Sequence, residues 1–175
     1  IRAGYPGLYL VSHEETRAEA ELKAVATGTD HGLVAWSATT GLVDTGDGRT
    51  LGAEDPMEAV TAIAGLPDNT LVLLRDFHLF LQDGNPVLIR ALKDVLVHAK
   101  AKGKCVVILG CRRVLPPELE REFVTVDLAL PGKPELGVVL DGICESAKLK
   151  KVKGDERDQI LDAASPDPTA AGVVS

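Results

Sequence analysis

Aromatic side chains are scarce in this sequence: one Trp, two Tyr and three Phe make up 3% of 175 residues. Val, Leu, Ile and Ala must therefore fill the core, which suits strands sandwiched between helices. Cysteine is also sparse. The three thiols, Cys105, Cys111 and Cys144, are odd in number and widely spaced, which excludes a disulfide framework and predicts reduced thiols in a cytoplasmic-type compartment. No apolar run approaches the ~20 residues that span a bilayer, and the opening residues do not read as a signal peptide. Basic residues are in deficit: 19 Lys and Arg against 26 Asp and Glu leave a net charge of -7. That balance argues against a general affinity for nucleic acid or anionic membrane. His13, His31, His78, His98 and the cysteines show no paired ligand spacing, so no metal site is expected.

What is present is ordinary for a globular chain, with 45% hydrophobic and 26% charged residues. A chain of this length buries about 70% of its unfolded surface and needs no metal or disulfide to hold together. It begins at Ile1 without Met and tails off in a Pro- and Ala-containing stretch to Ser175, which fits a fragment of something longer.

The most informative stretch runs from Leu71 to Leu81. Four aliphatics, Leu71 to Leu74, are followed by Arg75-Asp76 and then a renewed apolar run. A short uninterrupted apolar run fits a strand buried on both faces, and Asp76 then marks its carboxyl end, where open α/β sheets hold ligands. Further strands are expected at Gly7 to Ser12, Leu33 to Ser37, Cys105 to Gly110 and Val124 to Leu130. Helices are expected from Glu14 to Ala26, after the Asp55-Pro56-Met57-Glu58 start, from Pro86 to Lys102, from Pro134, and from Asp155. Thr39 to Glu54, with its glycines, is expected to be a long loop with a small hairpin at Asp47-Gly48. The alternation predicts an α/β fold: a five-stranded, mostly parallel sheet sandwiched by helices, with a small helical cap after it.

An aliphatic strand ending in Asp has the shape of a Walker B element, whose carboxylate helps hold a nucleotide's magnesium. Phe77 follows Asp76 where many ATPases carry Glu, so the alternative is a strand-end carboxylate capping a loop or pairing with Arg75. A phosphate-binding loop would need G-x-x-x-x-G-K-[ST] after the first strand. The chain instead reads Ser12-His13-Glu14-Glu15-Thr16-Arg17, with two carboxylates where a helix start would otherwise welcome an anion. Arg112 and Arg113, after the fourth strand, are candidates either for acting on a neighbouring subunit or for pairing with Glu118, Glu120 or Glu122. Phe77 and Phe80 are candidates for an apolar contact surface, with the core as their default place. His78 is expected to be a partly buried loop histidine. A thiol enzyme built from Cys111, His78 and His13 has no local signature. The Lys148 to Lys153 cluster reads as a solvated linker face or a contact for an acidic partner.

In combination, Tyr5-Pro6-Gly7-Leu8-Tyr9-Leu10-Val11-Ser12-His13-Glu14-Glu15, Trp36-Ser37-Ala38-Thr39-Thr40-Gly41-Leu42, Arg75-Asp76-Phe77-His78 and Pro116-Pro117-Glu118-Leu119-Glu120 resemble the N-terminal half of the hypothetical-chloroplast-reading-frame AAA ATPases. The resemblance runs from about Tyr5 to Ala164. It implies an AAA-like module that has lost its Walker A, paired in the parent protein with a second, intact AAA module that binds ATP and Mg2+. It makes residues 1–131 a degenerate AAA-like α/β domain, 132–164 a helical lid-like segment and 165–175 a flexible tail. It further implies a cytosolic or stromal location, ring assembly as a homo-oligomer, contact with an AAA module of the same or a neighbouring subunit, and a protein client. No cofactor or catalytic residue is carried over to this chain, and Asp76 matches the Walker B aspartate by position alone. The competing expectations are a stand-alone protein-binding α/β domain with no link to ATP, and a small-molecule enzyme using the strand-end residues.

Overall fold

The computed structural model describes residues 5–128, 132–148 and 150–164. The chain divides into two compact units after Leu128. The first unit holds strands β1 (Gly7–Val11), β2 (Gly32–Ser37), β3 (Gly41–Asp44), β4 (Thr50–Gly52), β5 (Thr70–Arg75), β6 (Cys105–Gly110) and β7 (Phe123–Asp127). Its helices are α1 (Glu15–Gly28), α2 (Pro56–Ile63), α3 (His78–Leu81) and α4 (Pro86–Ala101), with a 3-10 turn at Pro117–Leu119. The expected tail, residues 165–175, and the last residues of the expected fifth strand lie outside the described residues.

The strands form one seven-stranded sheet in the order β4-β3-β2-β5-β6-β1-β7. All five expected strands are there, and the run β2-β5-β6-β1-β7 is parallel throughout. The expected strand count is too low, because the supposed loop contributes two more strands. In it, β3 pairs antiparallel with β2 and β4 pairs antiparallel with β3, so the sheet is mixed. The segment hides its strands because each is short and bounded by glycines. Gly41 sits at φ +66, and a Cβ there would come 2.5 Å from the Gly52 carbonyl oxygen, so only glycine lets the two strands approach. The Asp47-Gly48 hairpin is present as expected: Gly48 N–H donates to the Asp44 carbonyl at 2.9 Å, and Asp47 accepts from Arg49 N–H at 2.9 Å.

Alternation along the strands sorts the core into two layers. Leu33, Ala35, Leu71, Leu73, Cys105, Val107 and Leu109 face α1 through Ala18, Leu22 and Ala26. Val34, Trp36, Val72, Leu74, Val106 and Ile108 face α2 and α4 through Val60, Ile63, Leu92 and Leu96. The central strands therefore read as unbroken apolar runs, since both faces are covered. Helix starts follow their local chemistry. The Asp55 carboxylate accepts from the Met57 and Glu58 N–H groups with Pro56 in the first turn, and Asn85 does the same for α4 ahead of Pro86. The Lys104 ammonium, almost fully buried, donates to the Ile63 and Ala64 carbonyls at 3.0 and 2.9 Å and so closes the end of α2.

The second unit contains α5 (Lys133–Ser146) and α6 (Asp155–Ala164). Arg157 holds them together, donating to Asp141 Oδ1 at 2.6 Å and to the Gly137 carbonyl at 2.9 Å, over buried Cys144 and Leu161. Val139 and Ile143 of α5 are exposed. Among the described residues no helix is long and apolar enough to cross a membrane.

Candidate functional site

Parallel strands direct their carboxyl ends the same way, so the loops after β1, β2, β5 and β6 gather along one edge of the sheet. The turn after β1 is short. Ser12 N–H donates to the Gly110 carbonyl at 3.0 Å, and Glu14 N–H donates to Ser12 Oγ at 3.0 Å. The Glu14 carboxylate accepts from Arg17 at 2.8 Å, and Arg17 also pairs with Glu21 at 3.2 Å. The turn contains no glycine, no side chain caps the start of α1, and two acidic side chains, Glu14 and Glu15, stand there.

At the end of β5 the chain turns sharply. Asp76 adopts φ +51, a left-handed conformation that Asp and Asn tolerate better than most residues. Its N–H donates to the Leu109 carbonyl at 2.9 Å, and its own carbonyl accepts from Leu79 N–H at 3.0 Å. The carboxylate is 59% exposed and accepts no hydrogen bond among the described residues. Arg75 does not pair with it. Strand alternation sends Arg75 to the α1 face with Leu71 and Leu73, where it pairs with Glu19 and, at 3.6 Å, with Glu15. Those carboxylates raise the affinity of Arg75 for its proton.

His78 is more deeply placed than expected. It opens α3 at 2% exposure, with its ring against Gly110, and Nδ1 has no hydrogen-bond partner among the described residues. Burial lowers its pKa from the ordinary 6.5; the Asp76 carboxylate, 4.0 Å from Nδ1, opposes the shift and Arg112 adds to it. The unfolded chain therefore binds the extra proton first as pH falls, so the contribution is present above 6.5 and is lost as pH drops through the lowered folded value. Urea midpoints measured from about pH 5 to about 7.5 should rise more steeply in the natural protein than in His78→Gln. Equal slopes would mean that His78 is not buried as a neutral ring.

The two arginines after β6 turn to different partners. Arg113 donates to Glu120 Oε1 at 3.3 Å and Thr125 Oγ1 at 3.2 Å, whereas Arg112 donates to Gln82 Oε1 at 2.8 Å. Both are exposed. The Tyr9 hydroxyl fastens this loop from below, donating to the Arg112 carbonyl at 2.7 Å and accepting from Val114 N–H at 3.1 Å. Sequence reasoning missed that latch, since nothing local to Tyr9 points 103 residues ahead. Phe77 is fully buried against Trp36, with ring centroids 5.4 Å apart, so it belongs to the core and not to a contact surface. Phe80 is half-buried on the same cluster, and Leu79 is the exposed apolar residue of the segment. Cys111 is exposed, yet no hydrogen bond among the described residues joins it to His78 or His13. No group of three or more His, Cys, Asp or Glu among the described residues could hold a metal ion.

Between the ends of β2 and β5 lies an open pocket of about 480 Å3 lined by Ser37, Thr39, Thr40, Asp76, Leu79 and Phe80, with Glu15 and Arg75 at its side. Sequence reasoning gave no role to its hydroxyls, which share a pocket with Asp76 only because β2 and β5 are neighbours.

Residues 1–128 match the family model for the N-terminal domain of SpoVK-like AAA ATPases. Curated relatives include an uncharacterized AAA domain-containing protein, ycf46, of Guillardia theta, 28% identical over 149 residues that cover 83% of this chain and 29% of that protein. Its counterpart from Trieres chinensis is 27% identical, covering 85% of this chain and 30% of that protein. The chain thus spans less than a third of the length of these relatives, and the family resemblance carried by its motifs is borne out. Among solved structures, a DNA replication initiation factor superposes with a TM-score of 0.59 at 13% identity, covering 90% of this chain and 50% of that one. The HORMA:CdnC:Trip13 complex of E. coli MS115-1 gives a TM-score of 0.58 at 17% identity, over 93% of this chain and 61% of that one. AMPPCP-bound DnaA from Aquifex aeolicus gives 0.56 at 15%, over 91% and 51%. These likenesses establish an α/β fold shared with those proteins.

Proposed function

Because the chain belongs to the SpoVK-like AAA ATPase N-terminal domain family, we propose that it is a non-catalytic AAA-like module that serves an AAA ATPase as an oligomerisation, regulatory or substrate-adaptor unit. The observation that carries this reading is the turn after β1. A triphosphate needs backbone N–H groups freed by glycine and one Lys at that place, and the turn instead spends the Glu14 N–H on Ser12 and presents Glu14 and Glu15. The residues there do not fit a nucleotide, so no step of ATP hydrolysis is assigned to this chain. Asp76 is the remnant of a Walker B position, exposed and without an acidic neighbour after it.

On this reading, ATP and Mg2+ are held by a separate AAA module of the parent protein. The partners are that module, in the same or a neighbouring subunit of a homo-oligomer, and a protein client, in a cytoplasmic or stromal setting. The net charge of -7 supports a protein partner over nucleic acid or membrane. Isothermal titration of the purified chain with Mg-ATP should give no saturable heat at micromolar concentrations. Micromolar binding that Asp76→Ala abolishes would overturn the proposal. Reading the gene onward from Ser175 supplies an independent check, with G-x-x-x-x-G-K-[ST] expected on the same polypeptide.

A further inference from the structure

The pocket between the ends of β2 and β5 has a composition that the loss of a phosphate site does not explain. Asp76 offers it a carboxylate with no hydrogen bond among the described residues, 59% exposed. Glu15 adds a second carboxylate, and Arg75, on the same wall, is already shared between Glu15 and Glu19. Counting the lining charges, Asp76 and Glu15 against Arg75, the pocket carries a surplus of one negative charge. The pocket is also lined by Thr39 and Thr40, whose hydroxyls share hydrogen bonds with Ser37 Oγ at 3.1 and 2.8 Å, and by half-buried Phe80 beside exposed Leu79. Carboxylate, hydroxyl oxygens and an aromatic ring together match a flat cation that carries several donors, which is the guanidinium group. An ammonium has neither the planar face for the ring nor the forked donors for the carboxylate. The exposed Leu79, 52% accessible, adds apolar surface that suits a residue flanking the cation on a polypeptide.

We propose that this pocket receives an arginine side chain from a protein partner, its guanidinium bound to the Asp76 carboxylate and lying against the Phe80 ring. The inference rests on the reading of the chain as a protein-binding module, but not on where the parent protein binds ATP. The backbone at Asp76 is left-handed, and Asn is comfortable in the same conformation. Asp76→Asn therefore removes the charge while keeping the turn.

The test is a titration of the full 15N-labelled chain with Nα-acetyl-arginine amide, followed by amide chemical shifts, with the citrulline and lysine amides as controls. Saturable shifts are expected at Thr39, Asp76 and Leu79 with the arginine compound, and none with citrulline at the same concentrations. The lysine compound should bind more weakly. Asp76→Asn should weaken arginine binding about fivefold, the scale of an exposed charge pair. Shifts that fail to saturate, that fall on other residues, that appear equally with citrulline, or that persist unchanged in Asp76→Asn would each overturn the proposal. None of those results bears on the Mg-ATP titration, so failure here and failure of the module reading are separately visible.

Discussion

Trp36→Ala is expected to lower the unfolding free energy by about 3–5 kcal/mol, the range for removing a large buried aromatic side chain. Trp36 is 0% exposed and forms edge contacts with Phe77 and Phe80 at centroid distances of 5.4 and 5.8 Å. Its indole N–H donates to the Ala53 carbonyl at 2.8 Å. Alanine would leave a cavity under three elements and would strand that carbonyl. With a total stability of about 5–15 kcal/mol for an ordinary domain, such a loss moves the thermal midpoint by roughly 6–20 °C. Circular dichroism is the suitable readout, because the variant has no tryptophan fluorescence. Trp36→Phe keeps most of the packing and loses the hydrogen bond, so its cost should be nearer 1–2 kcal/mol, about one neutral bond plus a small void. If Trp36→Ala cost less than about 1 kcal/mol, the residue could not be at the centre of the layer under α2 and α4.

Gly110→Ala should be the second severe change, at about 1–3 kcal/mol, although alanine suits most backbones better than glycine. The backbone of Gly110 is not in the left-handed region, so conformation is not the obstacle. Space is. A Cβ would lie 2.5 Å from His78 Nδ1 and 2.8 Å from its Cε1, against a ring that is 2% exposed and cannot swing out. The double substitution Gly110→Ala with His78→Ala separates this cause from others. If the clash is responsible, the pair should be less destabilised than the sum of the two single changes, as expected for residues in contact. Strict additivity in urea unfolding would show that the two residues do not meet.

The parallel heart of this fold could be read from the chain because its physics is local. Leu71 to Leu74 and Cys105 to Leu109 are buried on both faces, and a strand covered on both sides must be apolar at every position. Asp55-Pro56 and Asn85-Pro86 announce their helices by satisfying the first N–H groups. By contrast, β3 and β4 have no pattern of their own. Leu42 and Val43 are too few to show a period, and the strands exist because β2 offers them a free edge. The site divides along the same line. The want of glycine and Lys after β1 was plain, since that motif is contiguous. The partners of Arg75, the burial of His78 and the placing of Thr39 and Asp76 around one pocket depend on which elements are neighbours, and strand order is not written in periodicity. Phe77 and Phe80 were legible as a pair but not as unlike partners. Phe77, just before α3, is buried, and Phe80, within α3, lines the pocket.

The antiparallel addition beyond β2 has a further consequence for the solubility of the isolated chain. Without β3, the strand holding Leu33 to Trp36 would be outermost, and its unpaired backbone groups would be a template for another molecule to extend the sheet. With the addition, the terminal rung is a three-residue strand, Thr50 to Gly52, exposed at every position and ended by left-handed residues at Gly52 and Ala53. That rung is too brief and too bent to recruit a neighbour, so the chain guards itself against fibrillar growth on that side.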